Sequence, residues 1–221
     1  MIPKILHFVW FGTNPLPSDA TRYIEGWHRL MPDYEIRRWD ESNFPLDFNR
    51  YTLQAARMKS WAFVADVCRL HALDKYGGIY LDTDMELLKS IDALRGESFL
   101  GEEATGPCCG IMAARPGERW VKIMLDYYNS HQFINPFGHP NRKPNPTILQ
   151  RFVLPQLSPH EMPRIYPKDV FYPDLLPDGS AVITPETLAI HHYAASWRKG
   201  RTLRTRIATI ARGLRYRWIG R

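Results

Sequence analysis

The stretch Tyr76-Gly77-Gly78-Ile79-Tyr80-Leu81-Asp82-Thr83-Asp84 decides how this chain reads. Two glycines close the helical segment before them, the expected chemistry of a helix C-terminus. Ile79-Tyr80-Leu81 is a short apolar run that predicts a buried strand. The strand leads into two aspartates with one residue between them. In an extended chain, side chains two apart point the same way, about 6–7 Å apart at the backbone. Two carboxylates on one side repel unless a positive charge sits between them. Oxygen ligands suit a hard divalent cation, Mn²⁺ or Mg²⁺. The spacing predicts one carboxylate on the ion and the other working through water or a substrate hydroxyl. An Asp-x-Asp pair alone is also common in solvated turns. Its position after a buried strand, at the sheet edge where open α/β sheets bind ligands, makes it a candidate site.

The flanking segments predict the fold class. Residues 4–11 read as a strand ending at Gly12, and 21–30 as a helix with Trp27 and Leu30 inward. Residues 34–39 alternate like a second strand, and 52–76 read as one helix. Strands near 98–101 and 109–114 and a helix over 119–128 follow. This alternation predicts an α/β fold with a mostly parallel sheet. Residues 136–167 hold eight of the 18 prolines and read as loop, with one helix over 147–154.

The chain has 221 residues, 44% of them apolar and 24% charged, which fits one sizeable core and excludes wholesale disorder. No run of 18 apolar residues is present, so no membrane-spanning helix is expected. Cys68, Cys108 and Cys109 are odd in number, two of them adjacent, and imply no disulfide framework. The opening residues lack a signal-peptide pattern, and the expectation is a cytoplasmic protein.

Charge is uneven. Residues 198–221 hold nine Lys or Arg and no acid, whereas residues 1–197 hold 20 basic and 23 acidic residues. In the tail Leu203, Ile207, Ile210, Leu214 and Trp218 make one apolar helical stripe. The expectation is two parts: a catalytic domain over 1–197 and a basic amphipathic helix over 198–221. Such a helix suits an anionic membrane surface, here the inner face of the plasma membrane. An ordinary packed helix is the plainer alternative. The near-neutral body argues against nucleic acid as a partner.

Two further clusters stand out. Asp66 and Arg69 are one turn apart in the apolar run 61–70. They read either as an ion pair worth a few tenths of a kcal/mol or as functional charges, since buried charges have partners. Residues 189–197 gather His191, His192, Ser196 and Trp197.

Together these segments resemble glycosyltransferase family 32, the Asp-x-Asp sugar transferases that include Och1-like mannosyltransferases and capsule enzymes. The likeness is carried by Ile2 to Gly12, Pro32 to Ile36 with Trp39 and Asp40, Ala62 to Leu70, Tyr76 to Asp84, and His191-His192-Tyr193 with Ser196-Trp197. The opening strand and acidic segment are also similar to glucosylating toxin domains. The resemblance implies a GT-A-type, Rossmann-like nucleotide-sugar fold. It implies a retaining, metal-dependent hexosyl transfer from a nucleotide-diphosphate sugar, a UDP-hexose by preference over GDP-mannose. The acceptor it implies is a glycan or lipid-linked saccharide in surface polysaccharide synthesis. Residue by residue, it implies Val9 and Trp10 at the base, and Asp66 and Arg69 on the donor sugar. It implies Asp82 on ribose, sugar or metal, and Asp84 as principal metal ligand. His192, preferred to His191, is a further metal ligand, and Ser196 and Trp197 close over the diphosphate. Asp82, Asp84 and Arg69 form the catalytic set. Asn145 stands where many relatives carry glycine and is a further, weaker candidate for touching the sugar.

Two other classes fit parts of the pattern. A metal-dependent phosphoesterase or nucleotidyltransferase also uses Asp-x-Asp, but a second acidic cluster for two metals is missing. A carbohydrate-binding module fits the 13% aromatic content. Walker A, Gly-x-Gly-x-x-Gly and His-Glu-x-x-His patterns are absent.

Overall fold

The glycine pair does what its chemistry predicts. Gly77 and Gly78 have φ of 62° and 106°, a region that side chains disfavour. A Cβ on Gly78 would lie 2.6 Å from the Ile5 carbonyl oxygen of the neighbouring strand. The chain therefore turns sharply out of a helix and directly into the sheet.

The structure, a computed structural model, describes residues 1–194. The elements in order are β1 (Ile5–Val9), α1 (Ser18–Leu30), β2 (Glu35–Trp39), α2 (Arg50–Arg57), α3 (Trp61–Tyr76), β3 (Gly78–Leu81) and β4 (Met85–Leu87). They continue with β5 (Phe99–Glu103), β6 (Gly106–Ala114), α4 (Arg119–Ser130), α5 (Asn145–Ile148), β7 (Arg164–Tyr166), α6 (Lys168–Phe171) and β8 (Ala189–His191). Six strands form the main sheet in the order β2-β1-β3-β6-β5-β7, and β4 and β8 form a second, two-stranded sheet. The pairs β1–β2, β1–β3 and β5–β7 are parallel, whereas β6 runs antiparallel to both β3 and β5. The α/β architecture is the expected one, with three of the five pairs in the main sheet parallel. The expected tail helix and the boundary at 197 lie outside the described residues.

Alternation along the strands builds a core on each face. Ile79 and Leu81 join one apolar cluster with Leu6, Phe8 and Trp27. Tyr80 joins the other, with Val64, Cys68, Trp120 and Tyr128. Trp27 is fully buried and its indole donates to the Met85 carbonyl at 2.9 Å, which pins α1 onto β4. An indole so enclosed is worth about 3–5 kcal/mol against alanine.

Two local features depart from expectation. The single helix over 52–76 is two helices, with Lys59 at φ 52° between them. Asn49 and Thr52 cap the first reciprocally. On β6, Leu100 pairs with Met112 but Gly101 pairs with Cys108, so Cys109, Gly110 and Ile111 bulge away from β5. Bulges re-aim backbone groups beside sites, and this one lies against β3.

Candidate metal and donor site

Asp82 is the first residue after β3, and Asp84 the last before β4. The turn between them is closed by the Met85 N–H donating to the Asp82 carbonyl at 3.0 Å. The β6 bulge holds the start of this turn: Asp82 N–H donates to the Gly110 carbonyl at 2.8 Å. A Cβ on Gly110 would lie 2.9 Å from the Tyr172 hydroxyl and 3.4 Å from Asp82 Oδ2. Glycine there keeps space beside the carboxylate.

Asp82 Oδ1 accepts from the Tyr80 hydroxyl at 2.7 Å and lies 3.1 Å from Arg69 Nη1. Arg69, on α3, is buried. Its Nη2 lies 3.3 Å from Asp66 Oδ1, and Nη1 donates to the Cys109 carbonyl at 3.0 Å. Nε donates to the Ala65 carbonyl at 3.3 Å, and the guanidinium lies 4.5 Å from the Tyr80 ring centre. One cation thus binds two carboxylates and a bulge carbonyl, as a buried charge requires. Burial pushes the Asp66 carboxyl up to about 6, with Arg69 opposing the rise and Asp82 adding to it. Asn145 is buried, accepts from the Tyr128 hydroxyl, and donates to the Asp66 carbonyl at 3.3 Å. It braces the α3 backbone at Asp66.

The C-terminal part of the described chain completes the cluster. Because Met85 pairs with His191 in the β4–β8 sheet, the segment after β8 lies against Asp84. His191 Nε2 is 3.1 Å from Asp84 Oδ1, and the Ala194 N–H donates to Asp84 Oδ2 at 2.9 Å. Burial alone would raise the Asp84 carboxyl, but the hydrogen bond and charge of His191 and the Ala194 N–H bring it below the usual range. Burial lowers the His191 imidazole, but the hydrogen bond and charge of Asp84, then Asp82 and Glu103, raise it overall.

The sequence preference falls on His192, whereas the structure brings His191 to the acidic pair. Successive residues of an extended chain face opposite ways. His191 therefore meets the acidic pair, while His192 Nε2 bonds Glu86 Oε2 at 2.8 Å and its ring stacks on Tyr23 at 4.8 Å. Register alone decides between the two, and β4 and β8 are three residues each. Strands that short leave no periodic signal. Among the expected donor residues, Val9 is buried in the core, with only 7% exposed. Trp10 is half-buried at the carboxyl end of β1, its indole donating to the Asn14 carbonyl at 2.7 Å. The β1–β3 register, His7 opposite Tyr80, brings both to the same sheet edge as Asp82. Ser196 and Trp197 lie outside the described residues.

Asp82, Asp84 and His191 each offer a ligand atom, and these atoms lie within 4.8 Å of one another. Two carboxylates and one imidazole form a donor set that fits a divalent metal cation. Two orphan features also fit: like charges brought together, and a buried His191 Nδ1 that makes no hydrogen bond.

Residues 17–100 match the family described as a glycosyltransferase sugar-binding region containing a DXD motif, which takes in Asp66, Arg69, Asp82 and Asp84. Over 149 residues the chain is 28% identical to an uncharacterized glycosyltransferase, L373, of Acanthamoeba polyphaga mimivirus, covering 61% of this chain and 57% of that one. Over 97 residues it is 37% identical to inositol phosphoceramide mannosyltransferase 3 of Schizosaccharomyces pombe, covering 42% of this chain and 27% of that one. The chain thus spans a little over half the length of the first relative and about a quarter of the second. A solved glycosyltransferase involved in glycosylating the major capsid of PBCV-1 is similar at 13% identity and a TM-score of 0.49, covering 96% of this chain and 100% of that one. That likeness is too distant to bear on the chemistry.

Proposed function

We propose that this chain, which carries over residues 17–100 the DXD sugar-binding region of a glycosyltransferase family, moves a hexosyl group from a nucleotide-diphosphate sugar to a hydroxyl acceptor. The reaction depends on a divalent cation held by Asp84, Asp82 and His191. One observation carries the reading: the three ligand atoms within 4.8 Å, at the carboxyl edge of β3 and next to a buried arginine. A cation there supplies positive charge to the departing diphosphate, an effect that grows in the transition state.

The protein's own groups set the stage for that charge. Arg69 and Tyr80 occupy Asp82 Oδ1, which orients the carboxylate and directs Oδ2 toward Gly110. Arg69 is enclosed by its partners and acts as a positioning residue. Asp66, its carboxyl raised by burial to about 6, can accept from sugar hydroxyls and, once protonated, donate to them. Asp84 and His191 would hold the cation from the β4–β8 side. Retention of the donor's anomeric configuration is part of the reading, on the strength of the family resemblance.

The Schizosaccharomyces pombe relative is named for mannosyl transfer to inositol phosphoceramide. That supports a lipid hydroxyl among the acceptors and GDP-mannose alongside the UDP-hexoses as donor. The basic segment 198–221 supports attachment to an anionic membrane surface on the cytoplasmic side, where a lipid-linked acceptor in surface polysaccharide synthesis is within reach.

The test is a thermal-shift panel of GDP-mannose and UDP-hexoses with and without Mn²⁺, on wild type and Asp84→Asn. A donor at a hundred times its Kd adds about 2.7 kcal/mol to the native state. One donor should raise the wild-type melting temperature only with Mn²⁺, and Asp84→Asn should lose the shift. Equal shifts in both proteins, or none with any donor, would refute the reading.

A further inference from the structure

We propose that Glu103 is a positioning residue for the metal site: it accepts from His191 Nδ1–H and so presents Nε2 to the cation. The inference rests on the Asp82–Asp84–His191 reading above. The two ring nitrogens of His191 face different surroundings. Nε2 points into the acidic pair, 3.1 Å from Asp84 Oδ1. Nδ1 points away, is buried, and lacks a hydrogen-bond partner. The carboxylate facing it belongs to Glu103, whose Oε1 is 3.8 Å away.

A metal-bound imidazole ordinarily gives its second N–H to a carboxylate or carbonyl, which fixes both tautomer and ring orientation. Glu103 is built for that task. It ends β5, beside the tight connection to β6, and its Oε1 accepts from the Cys108 thiol at 2.9 Å. Burial pushes that thiol up to about 12, with the Glu103 charge adding, so it stays protonated and remains a donor to the carboxylate. The Tyr193 ring, 4.2 Å from the imidazole, covers one side of His191. A movement of about 1 Å brings Glu103 and Nδ1 to hydrogen-bond length. The main sheet thereby fixes a ligand carried by the small β4–β8 sheet.

The measurement is Mn²⁺ affinity of the full chain, read from the electron paramagnetic resonance signal of free Mn²⁺. Loss of such a partner weakens metal binding about 10–100-fold. Glu103→Ala should show that loss, and Glu103→Gln, which keeps an acceptor oxygen, should stay within about threefold of wild type. Glu103→Ala binding as tightly as wild type, while Asp84→Asn loses Mn²⁺, would overturn this inference and leave the site reading intact. Glu103→Gln as weak as Glu103→Ala would overturn the acceptor role. Wild type that binds no Mn²⁺ would overturn both readings together. Should Glu103→Ala fail to fold, a wild-type crystal structure with Mn²⁺ decides. Glu103 Oε1 within 3.2 Å of Nδ1 supports the role, and a wider gap overturns it.

Discussion

Acid should weaken this fold through a single buried imidazole. His7, in β1, is fully enclosed. Its Nδ1 accepts from the Trp39 indole N–H at 3.0 Å, so the ring proton sits on Nε2, which donates to the Gly77 carbonyl at 2.8 Å. A second proton would face the indole donor in a fully buried site. Burial, only partly offset by the Gly77 bond, lowers this histidine from 6.5 to about 4. The unfolded chain therefore binds more protons than the folded one between these values. Stability is fully present above about 6.5 and falls as pH drops toward 4. Each pKa unit is worth about 1.4 kcal/mol, so the window carries about 3 kcal/mol. Urea unfolding of wild type and His7→Gln at pH 7, 6, 5 and 4 isolates this share, because every other titration is common to both. Glutamine offers one donor and one acceptor at the same site without a titrating ring. The stability of wild type relative to the variant should drop by about 3 kcal/mol between pH 7 and pH 4. A difference that stays constant across that range would refute the reasoning.

Arg69→Met leaves Asp66 and Asp82 without their shared cation and should cost about 3–5 kcal/mol at pH 7. The loss should shrink at pH 5, where Asp66, raised to about 6, takes up a proton; calorimetric melts at both pH values check it, and an equal loss at both contradicts the pairing. His191→Ala should abolish Mn²⁺ binding whereas His192→Ala should keep it within a few-fold, as read by isothermal titration; the reverse order would return the ligand role to His192.

The parts of this molecule that were legible in the sequence are those with local chemistry. Gly77-Gly78 announced a stop because a positive φ at both positions leaves few other residues that fit. Ile79 and Leu81 announced a buried strand because alternate side chains face different cores. Asp82 and Asp84 stood out because paired carboxylates on one side repel, and the structure brings both together with His191. The break between α2 and α3 carried no such mark: Lys59 takes a left-handed conformation with neither glycine nor proline nearby. The choice between His191 and His192 depends on a pairing across more than a hundred residues, which no local pattern encodes. The Glu103–Cys108 contact arises from the β5–β6 hairpin, which pairs Glu103 with Gly106 and Gly101 with Cys108 across the turn. Asn145, a candidate sugar contact in the sequence, turned out to brace Asp66 because Tyr128 and the α3 backbone take both ends of its amide.

The β4–β8 pairing has a consequence for when the molecule becomes competent. Two candidate ligands emerge early in synthesis and the third more than a hundred residues later, so any chain cut short before Ala189 carries the acidic pair without its nitrogen partner. On the proposed reading of the site, cation capture would report that the polypeptide has been completed to β8 and folded back on itself.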